Sequence, residues 1–161
     1  MDDVQLTNEY IRGLIEGEGS FTFHTNTELG TGGKKRRRKI PVFALQMHER
    51  DENLIGAIRD HLGVKNKIYN YGSKDFVMMT ITKGERVYKR GHKSILYVRD
   101  LGTLKNIIIP FFYKRLKGYK GIQFMEWLEK MGSDPEVSPG YKLLYRLYKC
   151  GYYDQNPKFL D

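Results

Sequence analysis

The sequence predicts an α+β fold, and three observations carry that expectation. Apolar residues recur at helical spacing over residues 7–18 and 51–62, polar and aromatic residues alternate at strand spacing between those segments, and further strand-like runs precede a helical C-terminal third. A chain of 161 residues suits a single domain over 1–161, with room for a core that needs neither a disulfide nor a structural metal. A 40% share of hydrophobic residues, with 12 tyrosines and 8 phenylalanines, argues against disorder. No apolar run nears the roughly 18 residues of a membrane span, so no membrane partner is expected. The opening MDDVQLTNEY lacks the basic and apolar regions of a secretory signal. Cys150, the one cysteine, excludes an intramolecular disulfide and a multi-cysteine zinc site, and the expected setting is soluble and intracellular.

The first helix is expected over residues 7–18. Thr7 serves as N-cap, Tyr10, Ile11, Leu14 and Ile15 share one side, and Gly19 stops it. The stretch SFTFHTN then reads as a half-buried strand with Phe21 and Phe23 inward and Ser20, Thr22, His24 and Asn26 outward. ELGTGGKKRRRK reads as a flexible, strongly basic loop. A second strand is expected at 40–46, and the most regular helix at 51–62, capped by Asp51 and ended by Gly63. Strands return at 67–71, 76–82 and 94–99. LGTLKNIIIPFF reads as a helix capped by Asp100 and closed near Pro110, and another follows over 118–131 with Phe124, Trp127 and Leu128. SDPEVSPG is a loop, and YKLLYRLYKCGYY a short amphipathic helix.

Charge is uneven along the chain. Up to Gly33 there are six acids against one base, and beyond it 27 bases against 13 acids, for a net charge of +9. A chain with a pI of about 9.5 usually meets a polyanion, most often nucleic acid. The glycine-rich GTGGKK is no phosphate loop, because Glu28 and Lys35 stand where such a loop needs a glycine and a Ser or Thr. The six consecutive bases Lys34, Lys35, Arg36, Arg37, Arg38 and Lys39 read either as a solvated or nuclear-targeting tract or as phosphate contacts flanking a nucleic-acid site. His24, His48, His61 and His92 have no zinc-site spacing, and no Ser/His/Asp arrangement is visible.

The carboxylates of the first helix carry more. Glu16 and Glu18 fall in its last turn, where they oppose the helix dipole at roughly 0.3–1 kcal/mol each if exposed. A divalent cation reverses that balance, because the last carbonyls of a helix lack intrahelical partners and a carboxylate beside one is a fragment of a hard-cation site. Gly13 and Gly17 are four apart, share a face, and each costs about 1 kcal/mol of helix propensity relative to alanine. Close approach of a second helix would explain them. Together the two features suggest two copies of this helix meeting, each bringing one carboxylate to a shared substrate.

The stretch IRGLIEGEG, residues 11–19, followed by SFTF, resembles the LAGLIDADG homing endonucleases at both glycine and both acidic positions of their nine-residue signature. FALQMHERDENLIGAIRDHLG resembles the family's second strand and helix, ILYVRDLGTLKNIIIPFF its fourth strand and next helix, and LKGYKGIQFMEWL the segment with its basic active-site residue. The resemblance covers residues 6–131. It implies an αββαββα fold whose curved antiparallel sheet saddles the major groove of double-stranded DNA, and a homodimer, since the motif occurs once. It implies Glu18 as ligand of Mg²⁺, with Mn²⁺ as a substitute and no small-molecule cofactor, and the Gly17 carbonyl as helper. Glu16 is implied to be structural, near a dimer seam formed by Gly13, Leu14 and Gly17. Lys120 is implied as the assisting base, with Lys117 as fallback. Where many relatives carry a glutamine at the end of the second strand, this chain has Met47, and Gln46 or His48 takes that place.

Strand alternation then gives base-reading candidates: Ser20, Thr22, His24 and Asn26, with Arg38, Gln46, Tyr69, Tyr71, Tyr97 and Arg99 after them. The basic run 34–39 is expected on phosphates. The function implied is a metal-dependent, sequence-specific double-strand DNA endonuclease of the intron-homing kind, acting on a long, roughly palindromic site. A catalytically inactive DNA-binding regulator and an intron RNA maturase are the rival readings. Residues 72–93 are longer than the turn the family uses there and suggest an extra hairpin.

Overall fold

The computed structural model describes residues 5–30, 32–72 and 92–160. Helix α1 (Asn8–Glu18) leads into a long hairpin, β1 (Gly19–Leu29) and β2 (Lys35–His48), then a 3-10 turn at Glu49–Asp51 and helix α2 (Glu52–Leu62). Strands β3 (Ile68–Tyr71) and β4 (Lys93–Val98) follow. A helical stretch comes next, made of α3 (Leu101–Thr103), a π turn (Leu104–Ile108) and α4 (Ile109–Phe112). Helix α5 (Tyr119–Ser133), a 3-10 turn at Pro139–Tyr141, and the short helices α6 (Lys142–Lys149) and α7 (Tyr152–Gln155) complete the chain. Among the described residues the four strands form one curved antiparallel sheet in the order β1-β2-β4-β3, the α+β class expected. The strand expected at 76–82, and most of the extra hairpin expected at 72–93, lie outside the described residues.

Local chemistry sets most boundaries. Thr7 Oγ1 accepts the Tyr10 amide at 3.1 Å and caps α1, and the Gly19 N–H closes the helix on the Ile15 carbonyl. Gly19 is required by close approach, since a β-carbon there would lie 2.5 Å from Ile15 Cγ2 and 2.9 Å from its carbonyl oxygen. Gly63, at φ 76°, ends α2 in the left-handed conformation. The expected cap of α2 differs: Asp51 makes no side-chain cap bond. The turn before it is started instead by His48, whose Nδ1 accepts the Arg50 amide at 3.1 Å. Pro110 does not close its helix either. It sits inside the helical stretch directly after the π turn, and the helix runs on to Phe112.

The basic stretch read as a flexible loop is strand almost to its tip. Asn26 pairs with Arg38, Thr27 with Arg37, Glu28 with Arg36 and Leu29 with Lys35. Gly32 and Gly33, both at positive φ, make the turn, and the Gly30 N–H bonds the Lys34 carbonyl at 2.7 Å. A run of identical charges hides the two-residue period that identifies a strand, so the sequence pattern could not show the pairing.

One face of the sheet is covered by α1, α2, α4 and α5 around a continuous apolar core. Phe21 is its hub: its ring lies 5.0–5.6 Å from those of Phe43, Phe112, Phe124 and Trp127. Truncating such a residue to alanine typically costs about 3–5 kcal/mol. Trp127 also donates its indole N–H to the Thr22 carbonyl at 2.8 Å, which ties α5 to the outer edge of β1. Buried Arg12 binds α1 to the rest of the chain through the Phe111 carbonyl at 3.0 Å and the Phe159 carbonyl at 3.1 Å, with its guanidinium 4.5 Å from the centre of the Phe111 ring.

Candidate nucleic-acid interface and active site

Glu18 is the last residue of α1 and is exposed, as is Gly17. Once Gly19 has bonded to Ile15, the carbonyls that follow, Gly17 included, have no helical donor left. The sheet register brings a second residue to this point. Gly19 pairs with Leu45, so Gln46, one step further along β2, stands level with Glu18 and is exposed. Met47 points the other way and packs against the core, where it cannot position water at this end of the sheet. His48 returns to the open face, but its Nδ1 is committed to the Arg50 amide. Lys120, in the first turn of α5, lines a cleft of about 460 Å³ with Ser20, Phe21, Thr22 and Phe23, so its ammonium group belongs to the same rim of the sheet. Lys117 is exposed and its Nζ lies 4.0 Å from Glu9.

Among the described residues no three His, Cys, Asp or Glu side chains are grouped so as to hold a metal ion. Glu18 and the Gly17 carbonyl offer oxygen donors only. That set fits a hard divalent cation whose shell is completed by water and phosphate oxygens, and it does not fit a zinc ion caged by protein.

Glu16 has a different place. Its Oε1 accepts the amide of Lys117 at 2.7 Å and that of Gly118, so it caps the start of α5 within its own chain. Leu14 is half-buried against the core, while Gly13 and Gly17 are exposed. A β-carbon at either glycine would meet nothing within 4 Å. No close approach inside the described part of the chain therefore requires them, and α1 presents a low, open surface there.

The open face of the sheet collects the base-reading candidates. Directly paired residues in an antiparallel sheet share a face, so Ser20, Ala44 and Tyr97 form one row, and Gln46, Ile95 and Tyr69 another. Thr22, His24, Asn26, Arg38, Tyr71 and Arg99 fall on that face by the same alternation. Aromatic contacts stiffen it: His24 lies 5.4 Å from Tyr97, and Tyr97 lies 5.9 Å from Tyr69. Burial, with the Arg99 guanidinium nearby, holds His24 below its ordinary value, and burial raises the Tyr97 hydroxyl above its own. Both shifts favour the neutral form at pH 7. Between these side chains the floor is apolar, with Val42 and Ile95 at 0% and 2% exposure.

The basic run divides by the pleat. Arg36 and Arg38 share the open face with Glu28, whose Oε2 lies 4.0 Å from Arg38 Nε. Lys35, Arg37 and Lys39 alternate to the opposite face and are not brought to the open one. Lys39 Nζ donates to Asp134 at 2.7 Å and lies 3.7 Å from Glu136, and Arg37 lies 4.0 Å from Glu136. The hydrogen bond to Asp134 raises the Lys39 ammonium above its ordinary value. Asp134 and Glu136, and Gln123, Glu126 and Lys130, which line the Lys120 cleft, each read in the sequence as ordinary polar surface residues.

The fold and the site define a helix-backed sheet with a polar, aromatic and basic open face and an acidic helix end at its rim. The chain belongs to the LAGLIDADG endonuclease family, whose model matches residues 11–131. Over 130 residues it is 29% identical to the probable intron-encoded endonuclease 3 of Neurospora crassa, covering 78% of this chain and 20% of that one. The solved structure of the I-SmaMI LAGLIDADG homing endonuclease bound to cleaved DNA matches 94% of this chain and 45% of its own length, at a TM-score of 0.61 and 20% identity. I-LtrWI bound to target DNA gives the same coverage, TM-score and identity. I-SmaMI bound to uncleaved DNA in the presence of calcium ions matches 93% of this chain and 46% of its own, at 0.60 and 21%. This chain thus spans about one fifth of its Neurospora relative and less than half of these structures. Among the described residues no helix is long and apolar enough to cross a membrane.

Proposed function

We propose that residues 5–160 act as one endonuclease unit, two copies of which join through α1 and cut both strands of a specific DNA site with Mg²⁺. The observation that carries this reading is that Glu18, at the end of α1, and Gln46, level with it by the β1–β2 register, are both exposed at the end of the sheet from which the base-reading face extends, with Lys120 lining the cleft beside Ser20 and Thr22. Glu18 and the Gly17 carbonyl would hold the cation. When bound, it would lower the pKa of water and offset the charge that builds on the scissile phosphate. Gln46, an uncharged side chain level with Glu18, would orient the attacking water. Lys120 would stabilise phosphate charge from the α5 side. The open face would read base edges, with Arg36 and Arg38 seated on phosphates at the hairpin end.

One feature supports a pair: Gly13 and Gly17 leave a surface on α1 that the described part of the chain does not use. Met47, which stands where many relatives carry a glutamine, packs against the core, and Gln46 stands one position earlier on the open face.

The test uses duplexes that the wild-type protein selects from a randomised pool in Ca²⁺. Wild type is expected to cut them in Mg²⁺. Glu18→Gln is expected to bind with unchanged affinity in Ca²⁺ and to cut at least about a thousand-fold more slowly in Mg²⁺. Equal cutting by the variant would remove Glu18 from the chemistry, and tight binding without cutting by wild type would favour the regulator.

A further inference from the structure

On the open face, where β4 and β3 lie side by side, an indentation of about 220 Å³ is lined by Asn66, Lys67, Tyr69, Tyr97, Arg99 and Asp100. We propose that this cleft is a guanine-reading subsite, with Arg99 as the reader and Lys67 as the second donor; the inference rests on the DNA-binding role proposed above.

The polar groups are unequally free. The Asp100 carboxylate is engaged on both oxygens: Oδ1 accepts Asn66 Nδ2 at 3.0 Å, and Oδ2 accepts the Thr103 amide at 3.1 Å and the Thr103 hydroxyl. These bonds fix it as the cap of α3 and hold the β4–α3 corner against the loop before β3. One of the two Asn66 amide hydrogens is spent on the same bond. Arg99 and Lys67 show no carboxylate partner among the described residues, and Lys67 Nζ rests 5.4 Å from the centre of the Tyr69 ring. The cleft therefore presents donors to whatever enters, and its ligand must present acceptors.

Two DNA groups present paired acceptors, the O6/N7 edge of guanine and a backbone phosphate, whereas adenine N7 and thymine O4 offer one acceptor each in the major groove. Position selects the first. Arg99 continues the β4 row that holds Ile95 and Tyr97 on the open face, in the centre of the sheet rather than at its flank. A planar guanidinium can bond O6 and N7 of guanine together, an arrangement that an ammonium group cannot reproduce. Tyr97, which lines the cleft with Arg99, packs between the Tyr69 and His24 rings.

The experiment is a binding assay in Ca²⁺ on duplexes selected by wild type from a randomised pool, each remade with all four base pairs at every position of one half-site. Wild type is expected to prefer guanine by about ten-fold or more at one position that Arg99 controls. Arg99→Ala should reduce that preference below about two-fold and leave other positions unchanged. Arg99→Lys, which keeps the charge and loses the fork, should lose most of the preference as well. Lys67→Ala should weaken it at the same or the adjacent position. As a contrast, Arg36→Ala should lower affinity for all duplexes alike and reduce the salt slope by about two, one for each copy. If Arg99→Ala weakens every duplex equally, the cleft binds phosphate and the proposal is wrong, while the endonuclease reading stands. If wild type selects no sequence at all, both are wrong.

Discussion

Glu16 and Glu18 lie two positions apart in one helix turn, and helical geometry sends them to opposite tasks. Residues two apart on a helix point roughly 200° away from each other, so one carboxylate meets the start of α5 while the other stays free at the rim. Glu16 supplies a terminal oxygen to two amides that would otherwise have no partner at the start of a helix. Removing it as Glu16→Ala should lower unfolding free energy by about 1–2 kcal/mol in urea titration without eliminating specific DNA binding. Unchanged stability would show that the cap contributes nothing. The same pair shows what was legible at this scale. The motif singled out both acids, but only the fold separates a structural acid from a free one, because the Lys117 and Gly118 amides are about a hundred residues away in the chain. Position 47 had the same difficulty. A one-residue step in a strand reverses the face, and only the observed register shows that Gln46 and not Met47 stands beside Glu18.

The long hairpin is the element that most needs an outside support. Beyond Phe43 the inner edge of β2 has lost β4 as a partner, since their pairing ends at Phe43 and Val98. The segment after α5 takes over. The Lys39 N–H bonds the Glu136 carbonyl at 2.8 Å, the Ser138 N–H bonds the Lys39 carbonyl at 2.9 Å, and Val137 is fully buried between them. Lys39 adds its ion pair with Asp134, which holds that carboxyl below its ordinary range. The contribution of the pair is complete above pH 3.8, the ordinary value of the carboxyl, and is lost as pH falls through the lower folded value. Asp134→Asn should therefore speed hydrogen exchange of the Lys39 and Ser138 amides by roughly ten-fold at neutral pH, with amides in β4 unaffected. Equal exchange in variant and wild type would refute the brace. The sequence marked residues 34–39 as basic and could not mark this contact, because Asp134 and Glu136 belong to a loop identified only by its prolines and its polar residues.

At the scale of the molecule, the order of elements was legible because each long element carries its own period: Ile11 and Ile15 on α1, Phe21 and Phe23 on β1, Ile55, Ile58 and Leu62 on α2. Strand order was not, since β4 inserts between β2 and β3 through pairings that no local pattern encodes. The part of the site within one chain was therefore half visible, as a motif and a face. The rest, in the proposed account, lies in a second copy. Gly13 and Gly17 are costly in a helix, and room for a side chain exists at both within the described chain. A symmetric partner helix gives them a purpose and brings a second Glu18 to the same DNA. The most direct measurement mixes subunits. Wild type and Glu18→Gln are co-expressed in equal amounts, and double-strand cutting of excess selected duplex in Mg²⁺ is compared with the same total of wild type alone. A cutting unit that needs Glu18 from both copies should retain about a quarter of the rate, since random pairing leaves that fraction of dimers with two acids. Retention of a half would mean that each chain cuts on its own, and would contradict the account.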